Sequence, residues 1–251
     1  MSGETIFYLA AVPAVIVLGL AKGGFTGLSS LAMPMLSLVA SPVRAAAILL
    51  PILIVQDWVS VWAYRRDFSP RNLSILIPSS MIGVALGWIL AARVSDDAVR
   101  LAVGLISIVF VFYMLFRDRL GSAPVGRPGV SGGFFWGSLA GFASFISHSG
   151  GPPFQVYVMP QNLAPRVFAG TATMFFAAVN LIKLPPYFLL GQFTGRNLTV
   201  SASLVPLAIL STFAGVWLVR RVSADRFYAV ILALTFLIGV QLTYAAVQAL
   251  V

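Results

Sequence analysis

Two glycine-centred interruptions, each set deep in apolar sequence, restrict what this chain can fold into more than any other feature. The first reads Ala21-Lys22-Gly23-Gly24-Phe25-Thr26-Gly27 and leads to Met33-Pro34. The second reads Ser147-His148-Ser149-Gly150-Gly151-Pro152-Pro153 and leads to Met159-Pro160. Lys22 stands twelve positions before Pro34, and His148 stands twelve before Pro160. A lysine or histidine inside an apolar segment is costly in a bilayer unless it has a partner or a task. Paired glycines beside it let backbone approach a ligand or a neighbouring helix closely.

The surroundings are those of a membrane protein. Of 251 residues, 59% are hydrophobic and 9% charged, and the mean hydropathy is +0.97. A soluble domain is not that apolar. Sixteen bases face seven acids, a net charge of +9. In a soluble chain that balance would suggest nucleic acid. Here the bases lie mostly between apolar segments, so they read as topology signals and no nucleic-acid partner is expected. The absence of cysteine excludes disulfides, thiolate metal sites and cysteine nucleophiles, and neither a metal nor a cofactor is expected. Met1-Ser2-Gly3-Glu4 carries no basic segment of the kind that starts a signal peptide, so the first apolar stretch is expected to belong to the mature fold.

Five apolar segments can be drawn in each half. They fall near 6–21, 25–40, 43–64, 73–92 and 98–116, then 132–147, 151–163, 166–190, 198–219 and 225–250. Several approach the ~20 residues that a spanning helix needs. The halves repeat one another. Ser41-Pro42 matches Ala164-Pro165, and Asp57 matches Asn180 at the same offset. Phe68-Ser69-Pro70-Arg71-Asn72-Leu73 matches Phe193-Thr194-Gly195-Arg196-Asn197-Leu198, with Ser69 or Asn72 as a helix cap. Gly87 matches Gly215, and Arg93-Val94-Ser95 matches Arg221-Val222-Ser223. The expected division is a first membrane repeat at 1–119, a linker at 120–130 and a second repeat at 131–251.

The arginines choose between two arrangements of those repeats. If the first two segments of each repeat form a hairpin, three further crossings follow and the repeats are inverted. One side then holds Arg65, Arg66, Arg71, Arg117, Arg119, Arg127, Arg166, Arg220, Arg221 and Arg226, against Arg44, Arg93, Arg100 and Arg196 on the other. If the two segments make one span, the arginines divide evenly. The hairpin arrangement puts the arginine-rich side in the cytoplasm and both termini outside. The expected fold is an all-α polytopic membrane protein of two inverted-topology repeats, each a broken-helix hairpin plus three transmembrane helices. Sixteen helical residues reach about 24 Å of a hydrocarbon core about 30 Å thick, so each glycine tip enters deeply. Transporters built this way bind their substrate near the midplane, between the repeats.

The candidate site follows from that placement. Lys22 and His148 are equivalent, and a helix restarting after Gly23-Gly24 or Gly150-Gly151 would aim its positive end at the tip. A cation beside it adds charge-assisted hydrogen bonds to a small anion. Thr26, Ser147, Ser149 and Gln155 can donate further bonds, either to an anion or to neighbouring helices, although Pro152-Pro153 removes two backbone donors from the second tip. Asn180 and Lys183 share a helical face; Lys183 either faces the cavity or snorkels outward. Pro185-Pro186 is expected to break or kink that helix. Asp57, next to Trp58, is expected near the cytoplasmic interfacial belt, either as a proton-coupling carboxylate or as a structural partner of Lys22 or an arginine. A histidine with an unperturbed pKa near 6.5 is the other candidate proton carrier, which is His148.

In these residues the chain resembles the TauE/SafE family of sulfite exporters, also called the TSUP family. The resemblance rests on Gly23-Gly24-Phe25 with Met33-Pro34, on Gly150-Gly151 with Met159-Pro160, and on the duplicated layout. It implies a carrier in the bacterial inner membrane for sulfite, organosulfonates or related small anions, driven by an ion gradient. Lys22 and Phe25 flank only two glycines where the family commonly has three, and His148-Ser149 and Pro152-Pro153 are particular to this chain.

The leading expectation is therefore a secondary transporter, an exporter by family, working by alternating access around a site between the glycine breaks. Its partners would be a small anion, a coupling proton or other ion, and the lipid bilayer. An anion channel lined by the same cations is the alternative. An intramembrane enzyme using Ser147 or Ser149 with His148 is weaker, because neighbours in sequence rarely make a working nucleophile and base; no enzymatic activity is expected.

Overall fold

The apolar segments become helices; Gly23-Gly24 follows the end of the first, and Pro42, Pro70 and Pro165 open three of the others. The computed structural model describes residues 3–26, 28–37, 39–40, 42–91, 93–116, 129–189 and 194–250. Gly27, Ser41, Phe193, Arg117, Arg119, Arg127 and residues 120–128 of the expected linker lie outside the described residues. Among the described residues there are ten α-helices and no strand. The first half contains α1 (Gly3–Lys22), α2 (Ser29–Ser37), α3 (Pro42–Tyr64), α4 (Pro70–Leu90) and α5 (Asp96–Phe116). The second contains α6 (Val130–Ser147), α7 (Gly151–Val158), a 3-10 turn at Met159–Gln161, α8 (Pro165–Leu189), α9 (Gly195–Arg221) and α10 (Ala224–Leu250). Seven of these helices are long and apolar enough to cross a membrane: α3, α4, α5, α6, α8, α9 and α10. In α1 the apolar stretch is shorter, Ile6–Lys22, while α2 and α7 have nine and eight residues.

Equivalent signals start equivalent helices. Ser69 caps α4 by accepting from the Asn72 N–H at 3.4 Å, and Thr194 caps α9 by accepting from the Asn197 N–H at 3.3 Å. One expectation fails. Pro185-Pro186 does not break α8, which runs on to Leu189. Each proline removes one hydrogen bond from the helix.

Side-chain neighbours fix the helix directions. Asp57 bonds Asn180 while Tyr64 lies against Gly170, so α3 and α8 run antiparallel. Gly104 meets Thr243 and Phe112 meets Phe236, so α5 and α10 are antiparallel too. By contrast α1 runs parallel to α9, with Tyr8 beside Ser203 and Gly23 against Gly215. Likewise α6 runs parallel to α4, with Gly133 against Ile75 and Gly87 against Phe145. The packing partners also exchange between halves: α4 sits on α6 as α9 sits on α1, and α3 on α9 as α4 on α8.

Small residues allow the closest approaches. Along α4 and α6, Ser79, Ser80, Gly83, Gly137 and Gly141 bring backbone to backbone, and Ser138 donates to the Ser79 carbonyl at 3.0 Å. Such stripes drive association where lipid is as apolar as the helix surface. A Cβ on Gly83 would sit 1.9 Å from the Ser138 carbonyl oxygen. Gly83→Val must therefore push α4 and α6 apart. We expect it to cost about 1–3 kcal/mol or more, read as a lowered melting temperature in detergent with no change at Gly132→Ala, where a Cβ meets nothing within 4 Å.

Candidate functional site

The end of α1, the end of α6 and the middles of α3 and α8 meet around a small cavity. Its volume is about 50 Å³, counted as space open to the centre of a water molecule. One water needs roughly 10–15 Å³ on that measure, so the space suits a few waters or one small anion. Lys22 and Thr26 from the first tip, His148 and Gly151 from the second, and Thr173, Phe176 and Asn180 from α8 line it, with Ser144 of α6 and Ser29 of α2. The two interruptions, 126 positions apart in sequence, thus face one space.

The cations are not equivalent in their partners. The Lys22 ammonium donates to Asp57 Oδ1 at 2.5 Å, and the Asn180 amide donates to Asp57 Oδ2 at 2.7 Å. Both carboxylate oxygens are therefore occupied. Asp57 is 4% exposed, whereas its neighbour Trp58 is 70% exposed. Successive helix positions point about 100° apart, which turns Asp57 inward while Trp58 faces outward. The pairing of Asp57 with Lys22, one of the two roles expected for it, is present. Lys183 is fully buried, so it does not snorkel. Its ammonium donates to the Ser144 carbonyl at 2.9 Å and lies 3.4 Å from His148 Nδ1. Among the described residues no carboxylate comes within ion-pair distance of it. The other ring nitrogen, Nε2, is 3.2 Å from the Tyr187 hydroxyl.

Gly23, Gly24 and Gly150 take the second of the two parts expected of them, close approach to neighbouring helices. Gly23 N–H bonds the Gly19 carbonyl, and Gly24 N–H bonds the Ala21 carbonyl. Those donors complete the end of α1 and are not aimed at a ligand. A Cβ on Gly23 would lie 2.4 Å from Gly215 Cα, and one on Gly150 would lie 2.6 Å from the Ala140 carbonyl. Gly24 has φ +134°, a conformation glycine adopts freely. Gly23, Gly24, Ser149, Gly150 and Lys183 stand behind the cavity wall, whereas Gly151 lines it; Gly23, Gly24 and Gly150 bend and seat the tips.

Gln155 is also a fastener. Its amide nitrogen donates to the Thr26 carbonyl at 2.7 Å and to Thr26 Oγ1 at 3.1 Å, and Thr235 of α10 donates to its oxygen at 2.5 Å. It joins the second tip to the first and both to α10. We expect Gln155→Leu to lower stability by about 1–3 kcal/mol, since it leaves the Thr26 carbonyl buried and unpaired; thermal unfolding of the purified variant measures this. Ser149 donates to the Ser147 carbonyl, and Ser147 to that of Ala143. The described contacts of the His148 ring go to Lys183 and Tyr187, so neither serine is set up as its nucleophile.

Several residues here were not singled out from the sequence. Tyr64 donates to the Gly23 carbonyl at 2.5 Å, and Ser60 to the Lys22 carbonyl at 2.9 Å. Their counterparts at the second tip are Tyr187 and Lys183. Each tyrosine stands 22 positions beyond the proline that opens its helix, Pro42 or Pro165. Extending the repeat alignment past Asp57 and Asn180 would have found both pairs. Ser29 is likewise the counterpart of Gln155, since each lies seven positions after Lys22 or His148. Ser144, Thr173 and Phe176 gave no such signal.

The deciding comparison covers most of the chain: the model of the sulfite exporter TauE/SafE family matches residues 11–242. The chain belongs to the sulfite exporter TauE/SafE family. No curated protein and no solved structure matches it. TauE/SafE is a family of membrane transporters, so membership together with seven apolar spans makes this a multi-pass membrane protein of a transporter family. The match runs through both glycine tips, α3 and α8, and so takes in every residue around the cavity.

Proposed function

We propose that the protein is a secondary exporter of small oxyanions, sulfite or organosulfonates among them, and that the cavity between the two tips holds the anion. The observation that carries this reading is the convergence of Lys22, His148, Thr26 and Asn180 on one small buried space. Lys22 and His148 supply charge and a ring N–H; Thr26 and Asn180 supply neutral donors. Lys183 acts from behind, through His148. The coupling ion is a proton, with Asp57 and His148 as its candidate carriers.

Alternating access follows from the arrangement of the halves. Equivalent helices pack antiparallel, α3 on α8 and α5 on α10, which is what an axis lying in the membrane plane produces. We therefore read residues 1–119 and 131–251 as inverted repeats joined at 120–130. Because α1 runs with α9 and α6 with α4, the two hairpins enter from opposite faces. Arg65, Arg66, Arg71, Arg166, Arg220, Arg221 and Arg226 fall at one end, where Arg220 donates to the Ala63 carbonyl. By the positive-inside rule that end is cytoplasmic and both termini are outside; membership of the family supports the bacterial inner membrane as the location.

A thermal-shift series tests anion binding. Sulfite, sulfate, methanesulfonate and acetate are added to the purified protein, with chloride at equal ionic strength as control. A ligand that binds only the native state stabilises it by about 2.7 kcal/mol at a hundred times its dissociation constant. At least one oxyanion should raise the melting temperature. A flat response to all four contradicts the reading.

A further inference from the structure

The ion pair at the cavity wall is placed where an anion in the cavity and the Asp57 carboxylate would compete for Lys22. We propose that Asp57 is the resident counterion of Lys22, displaced when the transported anion takes the lysine, and that Asp57 then binds one proton, so that one anion and one proton are bound together. This rests on the anion-site reading above.

The geometry supports each part. The Lys22 side chain lines the cavity on one side and reaches Asp57 on the other, 2.5 Å from Oδ1. Its ammonium can serve the carboxylate or an anion in the cavity, and a flexible four-carbon stem allows the change. Asp57 itself stands behind the wall. Its outer side borders an apolar cleft formed by Ile54, Trp58, Val61, Ala177 and Leu181. Once Lys22 turns to the anion, Asp57 retains only the Asn180 amide, 2.7 Å from Oδ2. A carboxylate buried with one neutral donor and an apolar cleft is strongly disfavoured. Taking up a proton removes that charge: COO⁻ and H⁺ become COOH, with no other bond made or broken.

The charged groups around Asp57 agree with this assignment. From α1 it faces Lys22; from α8 it faces Asn180 and, more distantly, Lys183. From α6, His148 reaches the same cavity. The part of α9 that packs on α3 between Asn197 and Val219 carries no charged residue. His148 is the weaker carrier of the coupling proton, because Lys183 lies 3.4 Å from its Nδ1. With Lys183 protonated, that contact requires Nδ1 to accept, which would leave the ring neutral with its proton on Nε2. In that form His148 donates one hydrogen bond, to Tyr187 or to the bound anion.

Proton uptake on binding is measured by titration calorimetry at pH 7 in buffers of different ionisation enthalpy. The ligand is methanesulfonate, which carries no titrating proton of its own in this range. The wild type should take up about one proton per anion bound. Asp57→Asn keeps the shape and the Asn180 contact. It should still bind methanesulfonate, several-fold more tightly for want of a competitor, with proton uptake near zero. Zero uptake by the wild type overturns the proposal without recourse to any variant. So does undiminished uptake by Asp57→Asn, or loss of binding by an Asp57→Asn protein that still unfolds in a cooperative thermal transition. A wild type that binds neither methanesulfonate nor sulfite overturns instead the anion-site reading on which the coupling rests.

Discussion

Lys22→Met is expected to remove anion transport and to weaken the folded protein as well. The transport loss follows from the position of the lysine on the cavity wall. A hydrogen bond to a charged group contributes about 1.5–3 kcal/mol, so the anion should bind roughly 10- to 100-fold less tightly. The stability loss follows from the other partner. Lys22 and Asp57 are 8% and 4% exposed, so the pair is a buried one. Breaking a buried pair by removing one member costs about 3–5 kcal/mol, because the remaining charge is left uncompensated. The double variant Lys22→Met with Asp57→Asn removes both charges. Its melting temperature should return towards the wild type while flux stays lost. Residues in one network couple in this non-additive way. A Lys22→Met protein as stable as the wild type would mean that the pair does not hold in the membrane.

The second large effect is expected at Lys183, with opposite signs for stability and function. Lys183 is fully buried and donates to the Ser144 carbonyl, with no carboxylate in ion-pair range among the described residues. A charge held there is costly. Methionine matches the stem and removes the charge, so Lys183→Met should unfold at a higher temperature than the wild type. The same change takes the positive charge from behind His148 and frees its ring to adopt either tautomer. Oxyanion affinity should fall by about tenfold, the effect of ~1.4 kcal/mol. Gains of stability where function is lost are usual at sites kept for activity. Calorimetric binding and thermal unfolding on one sample decide the matter, and a drop in both would show that Lys183 is a structural residue.

Much of this architecture could be read from the chain because apolar length and glycine breaks act locally. The segments at 43–64 and 98–116 closely match α3 and α5, since a bilayer sets helix length and loops collect the arginines. The pairing of Lys22 with His148 across one cavity was legible through the repeat, as both stand twelve residues before a Met-Pro pair. What the repeat could not supply was the direction of individual side chains. Asp57 and Trp58 are adjacent in sequence, yet the turn of the helix buries the first and exposes the second. The glycines looked like ligand contacts because a close backbone approach to an anion and one to a helix need the same residue. Only the neighbour, Gly215 against Gly23, tells the two apart. Gln155 similarly has donors suited to an anion, and spends them on Thr26.

The half-sites share a scaffold and differ in charge. At the first tip a serine and a tyrosine from α3, Ser60 and Tyr64, donate to the carbonyls of Lys22 and Gly23. At the second, Lys183 and Tyr187 of α8 take those places and reach Ser144 and His148. The acid of one repeat, Asp57, is the amide of the other, Asn180. One scaffold thus gives an ion-paired cation on one side of the cavity and, behind the other, a cation without a paired carboxylate among the described residues, an inequality suited to holding an anion whose charge is balanced differently when it is bound and when it has left.

The most direct test is sulfite counterflow in sealed proteoliposomes, comparing wild type with Lys22→Met at equal reconstitution. The cavity account predicts saturable uptake of labelled sulfite against an internal sulfite load by the wild type, and flux at the protein-free level for the variant. Equal counterflow in both would contradict it.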